Sequence, residues 1–267
     1  MSGQRAGRSS RAGNCVEFAP RIRFHPLESE RNRLAHEQTD PSSDTLAAAL
    51  ARHGIELPAE KITALERYAQ RLWDWNEKLN LTRHTTWERF VARDVIDSLE
   101  LAKLLKEGER VLDVGTGGGV PGAVIAILRP DVTVTLCDSV AKKAKAAEAI
   151  VREAKVPAKV VHARAESLVE AHRFDALLIR AVAPLAKLLT WFKPHWAHIG
   201  RMLIIKGPSW AQERGEARHL GLFHGFELRK KAAYPLVGTE SESVILEIAA
   251  KIDDGKADGR AQTDRQR

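Results

Sequence analysis

A glycine-rich stretch between Asp113 and Gly122, D-V-G-T-G-G-G-V-P-G, is the part of the sequence best suited to bind a ligand. It follows the apolar pair Val111-Leu112 and precedes the apolar run 123–128, a pattern typical of the turn between a buried strand and a buried helix. Glycine at this density loses conformational entropy on folding unless the backbone must turn at positive φ or a ligand must come very close. The stretch therefore predicts a ligand against its backbone, with tight packing alone as the alternative.

The residues around this loop favour an amino-acid tail over a pyrophosphate. Residues 117–122 formally match G-x-G-x-x-G, the fingerprint of dinucleotide sites, and Asp138 is an acidic residue at the expected distance. However, Asp113 would repel a pyrophosphate and attract an ammonium group, and Pro121 removes one N–H from the first helical turn, where a phosphate would bind. Asp138 suits a ribose diol, which nicotinamide dinucleotides and S-adenosylmethionine share. The loop thus favours S-adenosylmethionine, and a nicotinamide dehydrogenase is the weaker alternative.

Polar side chains also follow three later apolar runs. His162 to Glu166 close the third run, Arg180 ends the fourth, and Lys206 ends the fifth. The carboxylate and the backbone amides of 162–166 could meet an adenine edge. We expect Arg164, Arg180 and Lys206 to form a small positive mouth that could hold phosphates or orient a base.

The spacing of apolar residues after Gly108 places these candidates at one edge of a sheet. Strands are predicted at 110–115, 133–138, 159–163, 175–180, 201–206 and 243–249, and helices at 121–128, 141–155, 184–198 and 210–220. Such alternation is typical of an α/β fold, a mostly parallel sheet with helices on both faces. Ligands bind outside the carboxyl ends of the strands in such sheets, which is where the glycine loop would lie.

The segment before the sheet, 44–107, shows only helical patterns. Asp44 is expected to cap a helix over 45–52, with Gly54 as the residue after its end, and apolar residues recur at helical spacing over 62–79 and again over 87–105. Trp73 and Trp75 lie on this segment, and we expect them to pack rather than to stack on bases. The sequence thus divides into a helical segment, 44–107, and an α/β domain, 108–250. The polar ends, 1–43 and 251–267, are predicted to be disordered.

Composition bounds the class of protein. The chain has 267 residues, of which 44% are hydrophobic and 29% charged, as in an ordinary folded protein. Its net charge of +7 agrees with a nucleic-acid partner, but part of the surplus lies in the polar ends, so charge alone is weak support. No apolar stretch approaches the roughly 18 to 20 residues that span a bilayer, which predicts a cytoplasmic protein without a membrane partner. Cys15 and Cys137 are too few for a disulfide framework or a metal cluster, so we expect free thiols and no metal.

Seven short motifs occur in a specific order along residues 45–248. They are N-L-T at 80–82, A-R-D-V-I-D-S-L at 92–99, V-L-D-V-G-T-G-G-G-V-P-G at 111–122, D-S at 138–139 followed by Lys142 and Lys143, A-R-A-E at 163–166, I-R-A at 179–181 and K-G at 206–207. In this order the chain resembles the glucose-inhibited division protein B family, bacterial methyltransferases that act at guanine N7 of small-subunit (16S) ribosomal RNA. The resemblance is specific because the glycine loop, N-L-T and I-R-A occur together in one chain.

The resemblance implies a class I S-adenosylmethionine-dependent methyltransferase fold, which is Rossmann-like. It comprises a seven-stranded, mostly parallel sheet under an N-terminal helical cap. It also implies S-adenosylmethionine as the cofactor and small-subunit rRNA, or its ribosomal particle, as the partner of a monomeric enzyme. With the loop chemistry above, it gives these donor-binding positions: Asp113, Gly115, Gly117, Val120, Asp138, Ala165, Glu166 and Arg180. The positions expected to face RNA are Asn80, Arg93, Arg164 and Lys206. Arg180 is the candidate catalytic residue, near both the donor and the target base.

Methylation at guanine N7 fits the absence of an obvious general base among these residues. N7 already bears an in-plane lone pair, so no proton has to be removed, and holding it in line with the methyl group at about 3 Å would supply most of the acceleration. Because the methylated ring gains positive charge, we expect Arg180 to bind a phosphate, a carbonyl edge of guanine or the donor, and not N7. Two places depart from the family. Asp94 stands where a His is common, and 238–244 lack an Arg often found there and show Glu240, Ser241 and Glu242 instead.

Two further functions stay open at this point. A methyltransferase of the same fold could act on a small molecule or a protein, because this fold fixes the donor far better than the acceptor. A nonenzymatic RNA-binding module with a degenerate pocket is the other alternative. The intact Asp113, Gly115, Gly117 and Asp138 count against it.

Overall fold

Seven strands form one sheet in the order β3-β2-β1-β4-β5-β7-β6 in the computed structural model, which describes residues 44–251. The first five strands pair in parallel, and β7 runs antiparallel to both β5 and β6. The class I methyltransferase fold implied by the motifs is therefore confirmed. The strands are β1 Arg110–Val114, β2 Thr133–Asp138, β3 Ala158–His162, β4 Phe174–Arg180, β5 Ile199–Lys206, β6 Phe226–Pro235 and β7 Glu242–Ala250.

Helices precede the sheet and connect its strands. They are α1 Leu46–Arg52, α2 Ala59–Asn76, α3 Trp87–Arg89, α4 Ile96–Ala102, α5 Gly122–Leu128, α6 Ala141–Glu153, α7 Ala165–Ala171, α8 Leu185–Phe192 and α9 Trp210–His219. A π-helical turn, Phe90–Val95, joins α3 to α4, and a 3₁₀ turn, Lys193–His198, follows α8. The predictions for the polar ends, 1–43 and 251–267, fall outside the described residues except at Lys251.

The strands and helices predicted from apolar spacing are present, but two elements were missed. Helix α7 has only seven residues and lies between β3 and β4, where the apolar spacing predicts no helix. Strand β6 lies at the sheet edge and carries Arg229, Lys230 and Lys231, so it lacks the apolar run that marks a buried strand. Charged residues on an exposed edge protect it from pairing with other chains. The predicted cap of α1 was wrong by one residue, because the Thr45 hydroxyl accepts the capping hydrogen bond.

The helices before the sheet share a continuous apolar core with one face of it. Side chains from α1, α2, the π-helical turn and α4 pack with those of β1, β2 and α5. The ring centroids of Trp73 and Trp87 are 4.6 Å apart, and the Trp73 Nε1–H donates to the carbonyl of His84. Trp75 is half-buried against the same core. The expectation that Trp73 and Trp75 pack is therefore confirmed.

The π-helical turn shifts which side chains face the sheet. In this turn Phe90 and Val91 point into the core, and the carboxylate of Asp94 is also fully buried. One turn later Asp97 is buried as well, and both carboxylates reach Arg180 at the end of β4. Single π-helical turns within helices occur frequently at functional sites. This one brings two acidic groups of the helical segment to the edge of the sheet where ligands are expected.

Candidate donor and RNA site

The carboxyl ends of the parallel strands bring the predicted site residues to one edge. Val114 at the end of β1 pairs with Cys137 of β2 and with Ile179 of β4, so the glycine loop, Asp138 and Arg180 leave the sheet side by side. The backbone N–H of Ala163 donates to the carbonyl of Asp138, which brings the end of β3 into the same group. The predicted position of the glycine loop at this edge is thus confirmed.

One half of the glycine loop packs against helix α2. A Cβ atom on Gly118 would lie 2.5 Å from a methyl group of Leu72, and one on Gly119 would lie 3.0 Å from the hydroxyl of Tyr68. Tyr68 is fully buried, and its hydroxyl donates to the carbonyl of Gly118 at 3.0 Å. These glycines are required by the close approach of the helical segment. The packing alternative therefore accounts for part of the loop.

The other half of the loop is open at Gly117, whereas Val182 lies against Gly115. Gly115 and Gly117 adopt positive φ angles of 65° and 57°, and no atom lies within 4 Å of the place where a Cβ of Gly117 would stand. The N–H of Gly117 donates to Asp138 Oδ2 at 3.0 Å, and the N–H of Val140 donates to Asp138 Oδ1 at 2.8 Å. These two bonds fix the carboxylate of Asp138 beside the open backbone, as a ribose-binding acid requires.

Asp113 holds the loop from beneath. One of its oxygens accepts from the hydroxyl of Thr116 at 2.6 Å and from the N–H of Gly122 at 2.9 Å. The other oxygen is buried and has no hydrogen-bond partner within residues 44–251. Burial raises the pKa of Asp113 to about 6, although the two hydrogen bonds oppose the shift. Asp113 is thus an anchor of the loop with one acceptor to spare, and its contact with a ligand ammonium stays a prediction.

The start of α5 is a poor phosphate cradle. Pro121 has no N–H, the N–H of Gly122 is bonded to Asp113, and the N–H of Ala123 donates to the carbonyl of Gly119 at 2.6 Å. Phosphate sites at helix starts depend on free backbone N–H groups aimed at the ligand. The two fixed carboxylates and the open glycine backbone fit S-adenosylmethionine, whose charged groups are an ammonium, a sulfonium and one carboxylate, better than a dinucleotide.

Arg180 does not project freely over the mouth of the site. Its guanidinium forms ion pairs with Asp94 at 2.8 Å and with Asp97 at 3.1 Å, and it donates to the carbonyl of Arg93 at 3.2 Å. The neighbouring acids raise the pKa of Arg180 even though burial opposes this, so it stays charged. Burial raises the pKa of Asp97, whose second oxygen accepts from the hydroxyl of Tyr234 at 2.7 Å.

Lys206 is likewise paired. Its ammonium lies 2.7 Å from a carboxylate oxygen of Glu213 and donates to the carbonyl of Ala183 at 2.7 Å. The predicted positive mouth of three cations is therefore wrong in this form, because acids neutralise Arg180 and Lys206. Arg164, at the N-cap of α7, is the exposed member of the three.

The remaining predicted residues lie at or near this edge. Ala165 and Glu166 form the first turn of α7, with Ala165 buried and Glu166 half-buried. The side chain of Val120 points into the shared core, so only its backbone can border the loop. Asn80 is exposed on the segment between α2 and α3. Arg93 is half-buried, and its Nε has no partner within the described residues. Donor and RNA contacts of these residues stay predictions.

Several site residues escaped the sequence analysis. Tyr68, Tyr234 and Glu213 contact the loop, Asp97 and Lys206 respectively. Asp97 belongs to the A-R-D-V-I-D-S-L motif, and its spacing of three residues from Asp94 was the one available signal that both acids lie on the same helical face. Residues 44–251 contain no cluster of His, Cys, Asp and Glu that could hold a metal ion, and none of their helices combines the length and apolar character needed to cross a bilayer.

Known proteins match most of the chain in sequence. Residues 61–238 match the model of the GidB family, described as rRNA small subunit methyltransferase G. A ribosomal RNA small subunit methyltransferase G from Rhodopirellula baltica is 51% identical over 188 residues, which cover 70% of this chain and 81% of the relative. A protein of the same name from Desulfitobacterium hafniense is 36% identical over 209 residues, 76% of this chain and 87% of the relative. One from Chlorobaculum tepidum is 38% identical over 178 residues, 64% of this chain and 82% of the relative.

Proposed function

The chain belongs to the GidB family, rRNA small subunit methyltransferase G, and on this premise we propose that it transfers a methyl group from S-adenosylmethionine to N7 of a guanine in small-subunit (16S) ribosomal RNA. The observation that carries the donor part is the open backbone at Gly117 beside the fixed carboxylate of Asp138. The choice of a small-subunit rRNA follows from the names of the relatives. The choice of N7 follows from the motif resemblance and from the chemistry below.

The residues of the site orient and hold the donor and the base, and they do not transfer protons. Bound S-adenosylmethionine supplies an activated methyl group on a positively charged sulfur. We expect Asp138, which the N–H of Gly117 holds in place, to accept hydrogen bonds from a ribose diol, and the spare oxygen of Asp113 is a candidate acceptor for an ammonium group. No general base is required, because N7 of guanine carries its own lone pair. Cys137 is no nucleophile, since burial raises the pKa of its thiol to about 12.

The pairing of Arg180 removes one objection to its place near the acceptor. A free guanidinium beside guanine would oppose the positive charge that the ring gains on methylation. Asp94 and Asp97 both contact Arg180, so the cluster of three groups carries no excess positive charge. We expect Arg180 to hold the end of β4 in place and to orient either an edge of the guanine or the donor. We do not expect it to contact N7. The RNA itself would meet the exposed Asn80 and Arg164.

Methyl transfer to 16S rRNA, both free and within the small subunit, tests this function. RNA from a strain that lacks the enzyme is incubated with labelled S-adenosylmethionine and the purified protein, and the modified nucleotide is mapped. N7-methylguanosine at one position is the expected result, and modification at another atom or only in a protein or small molecule would contradict it. Asp138→Ala should abolish binding of S-adenosylhomocysteine, whereas Arg164→Ala should retain it and weaken RNA binding in a salt-dependent manner. We also expect the protein to act as a monomer in the cytoplasm.

A nonenzymatic RNA-binding role makes a different prediction in the same samples. A degenerate pocket would leave the melting temperature unchanged by S-adenosylhomocysteine, whereas a ligand that binds only the folded protein stabilises it, by about 2.7 kcal/mol at a concentration of about 100 times its Kd. Stabilisation of the wild type, lost in Asp138→Ala, would exclude that role. Stabilisation of both proteins to the same extent would contradict the assignment of Asp138 to the donor.

A further inference from the structure

The segment 79–85, which contains N-L-T and is named the N-L-T segment, is tied firmly to the end of α2. Asn76 Oδ1 accepts from the backbone N–H groups of Leu81 at 2.8 Å and Thr82 at 2.9 Å. The indole N–H of Trp73 donates to the carbonyl of His84 at 2.8 Å. The segment is therefore held in a defined shape while Asn80 stays exposed.

A single carboxylate oxygen links this segment to the sheet. Asp94 Oδ1 lies 2.9 Å from Nδ1 of His84 and 2.8 Å from a guanidinium nitrogen of Arg180. The Asp94 side chain is fully buried, and its Oδ2 has no partner within residues 44–251. Asp97 holds the same guanidinium from the next helical turn. Asp94 is therefore the group that contacts both the N-L-T segment and the end of β4.

The two residues that follow Arg180, Ala181 and Val182, connect it to the donor loop. Ala181 adopts a φ of 55°, a left-handed conformation that is strained for a residue other than glycine. This turn places a methyl group of Val182 3.1 Å from the position of a Cβ on Gly115, so Val182 rests directly on the loop. Strained backbone persists only where its surroundings hold it in place. The ion pairs of Arg180, the residue immediately before the strain, are such a restraint.

We propose that Asp94 is a positioning residue that couples the N-L-T segment to the donor loop through Arg180. When RNA engages the segment, the His84–Asp94–Arg180 contacts favour the loop geometry that binds the donor. The coupling is reciprocal by thermodynamic necessity, so a bound donor also strengthens RNA binding. The inference rests on the proposed function, because it takes rRNA as the ligand of the N-L-T segment.

The test measures the affinity for S-adenosylhomocysteine by calorimetry, with and without saturating 16S rRNA. In the wild type we expect RNA to tighten this affinity about 10-fold, within the usual range of coupling between sites. In Asp94→Asn, which keeps the shape but loses the charge that attracts both partners, the ratio should fall to about 2-fold or less. The matched control is Asp131→Asn, which weakens the pair with Arg129 on the surface and should keep the wild-type ratio.

A second variant keeps the proposal testable if Asp94→Asn does not fold. His84→Leu removes the other end of the link, and the side chain of His84 is a quarter exposed, so this change disturbs the core less. We expect it to reduce the ratio as Asp94→Asn does. A merely structural Asp94 would lower the melting temperature but leave the ratio at its wild-type value, and that result would overturn the proposal.

Methyl incorporation into the same 16S rRNA separates this inference from the proposed function. Incorporation by a wild-type protein whose affinity for S-adenosylhomocysteine does not respond to RNA would overturn the coupling alone. No incorporation by wild-type protein into free rRNA or into the small subunit would overturn the proposed function, and the coupling with it.

Discussion

The two halves of the glycine loop should respond differently to the same substitution. In Gly118→Ala the new methyl group would lie 2.5 Å from a methyl of Leu72, which is fully buried and has little room to move. Overpacking of this kind costs about 1–3 kcal/mol of unfolding free energy. Because the clash lies on the side of helix α2, we expect the affinity of the folded protein for S-adenosylhomocysteine to change by less than about 3-fold, or roughly 0.6 kcal/mol.

Gly117→Ala should give the opposite result. Its methyl group would meet no protein atom within 4 Å, so the loss of stability should come only from the positive φ of 57°. That strain amounts to about 1–2 kcal/mol. The methyl group would occupy the open space beside Asp138, where the donor is expected, and should weaken the affinity for S-adenosylhomocysteine by about 10-fold or more, which corresponds to about 1.4 kcal/mol.

Urea unfolding and calorimetry with S-adenosylhomocysteine separate these effects at a temperature where both variants are folded. Gly118→Ala combined with Leu72→Ala provides a further check, because the cavity left by the leucine would accept the methyl group. The double variant should be more stable than the sum of the two single effects predicts. Equal losses of ligand affinity in Gly117→Ala and Gly118→Ala would refute the division of the loop into a packing half and a ligand half.

Three other changes test groups at the same edge. Burial raises the pKa of Asp113 in the folded protein to about 6, so its contribution to stability is greatest below the pKa of the unfolded chain and is lost as the pH rises through about 6. Between about pH 5 and about pH 8 the unfolding free energy of the wild type should fall by about 1.5 kcal/mol. Urea unfolding should show that Asp113→Asn does not lose this stability. Arg180→Ala leaves Asp94 and Asp97 buried without their cation and should lower the unfolding free energy by about 3–5 kcal/mol. Any loss of activity in this variant must therefore be measured together with a melting curve. An unchanged melting temperature would contradict the ion-pair geometry. Ala181→Gly relieves the left-handed strain and should keep or raise the unfolding free energy by up to about 1 kcal/mol, whereas a loss would show that the methyl group has a packing role.

The sheet was predictable from the sequence because its central strands are buried on both faces. Residues 176–179, A-L-L-I, form a continuously apolar run within β4, as is typical of a strand that is buried on both faces of a parallel sheet. Edge strand β6 has no such run, since water can solvate one side of it and its lysines discourage pairing. The π-helical turn at 90–95 could not be predicted from the sequence either. One residue more or less per turn changes which side chains face the core, but it does not change the hydrophobicity of those side chains.

The site was predictable in its position and less so in its electrostatics. Asp138 and Gly117 could be paired from the motif alone, since their chemistry is local to two adjacent strand ends. The partners of Arg180 lie more than 80 residues before it, and their contact depends on how the helical segment packs on the sheet. Lys206 and Glu213 are close in the sequence, but whether they pair depends on the turn between β5 and α9. A count of cations therefore overestimated the positive charge at the mouth of the site.

The packing of helix α2 on the glycine loop explains why the helical segment and the donor site cannot be treated as separate modules. Gly118 and Gly119 admit Leu72 and Tyr68, and the loop that they shape presents Gly117 to the ligand. A segment that only delivered RNA could be attached anywhere near the edge of the sheet. This one supplies part of the surface on which the donor loop rests, through Leu72 and Tyr68. The loop glycines thus serve two contacts at once, one with the protein's own helix and one with the expected donor.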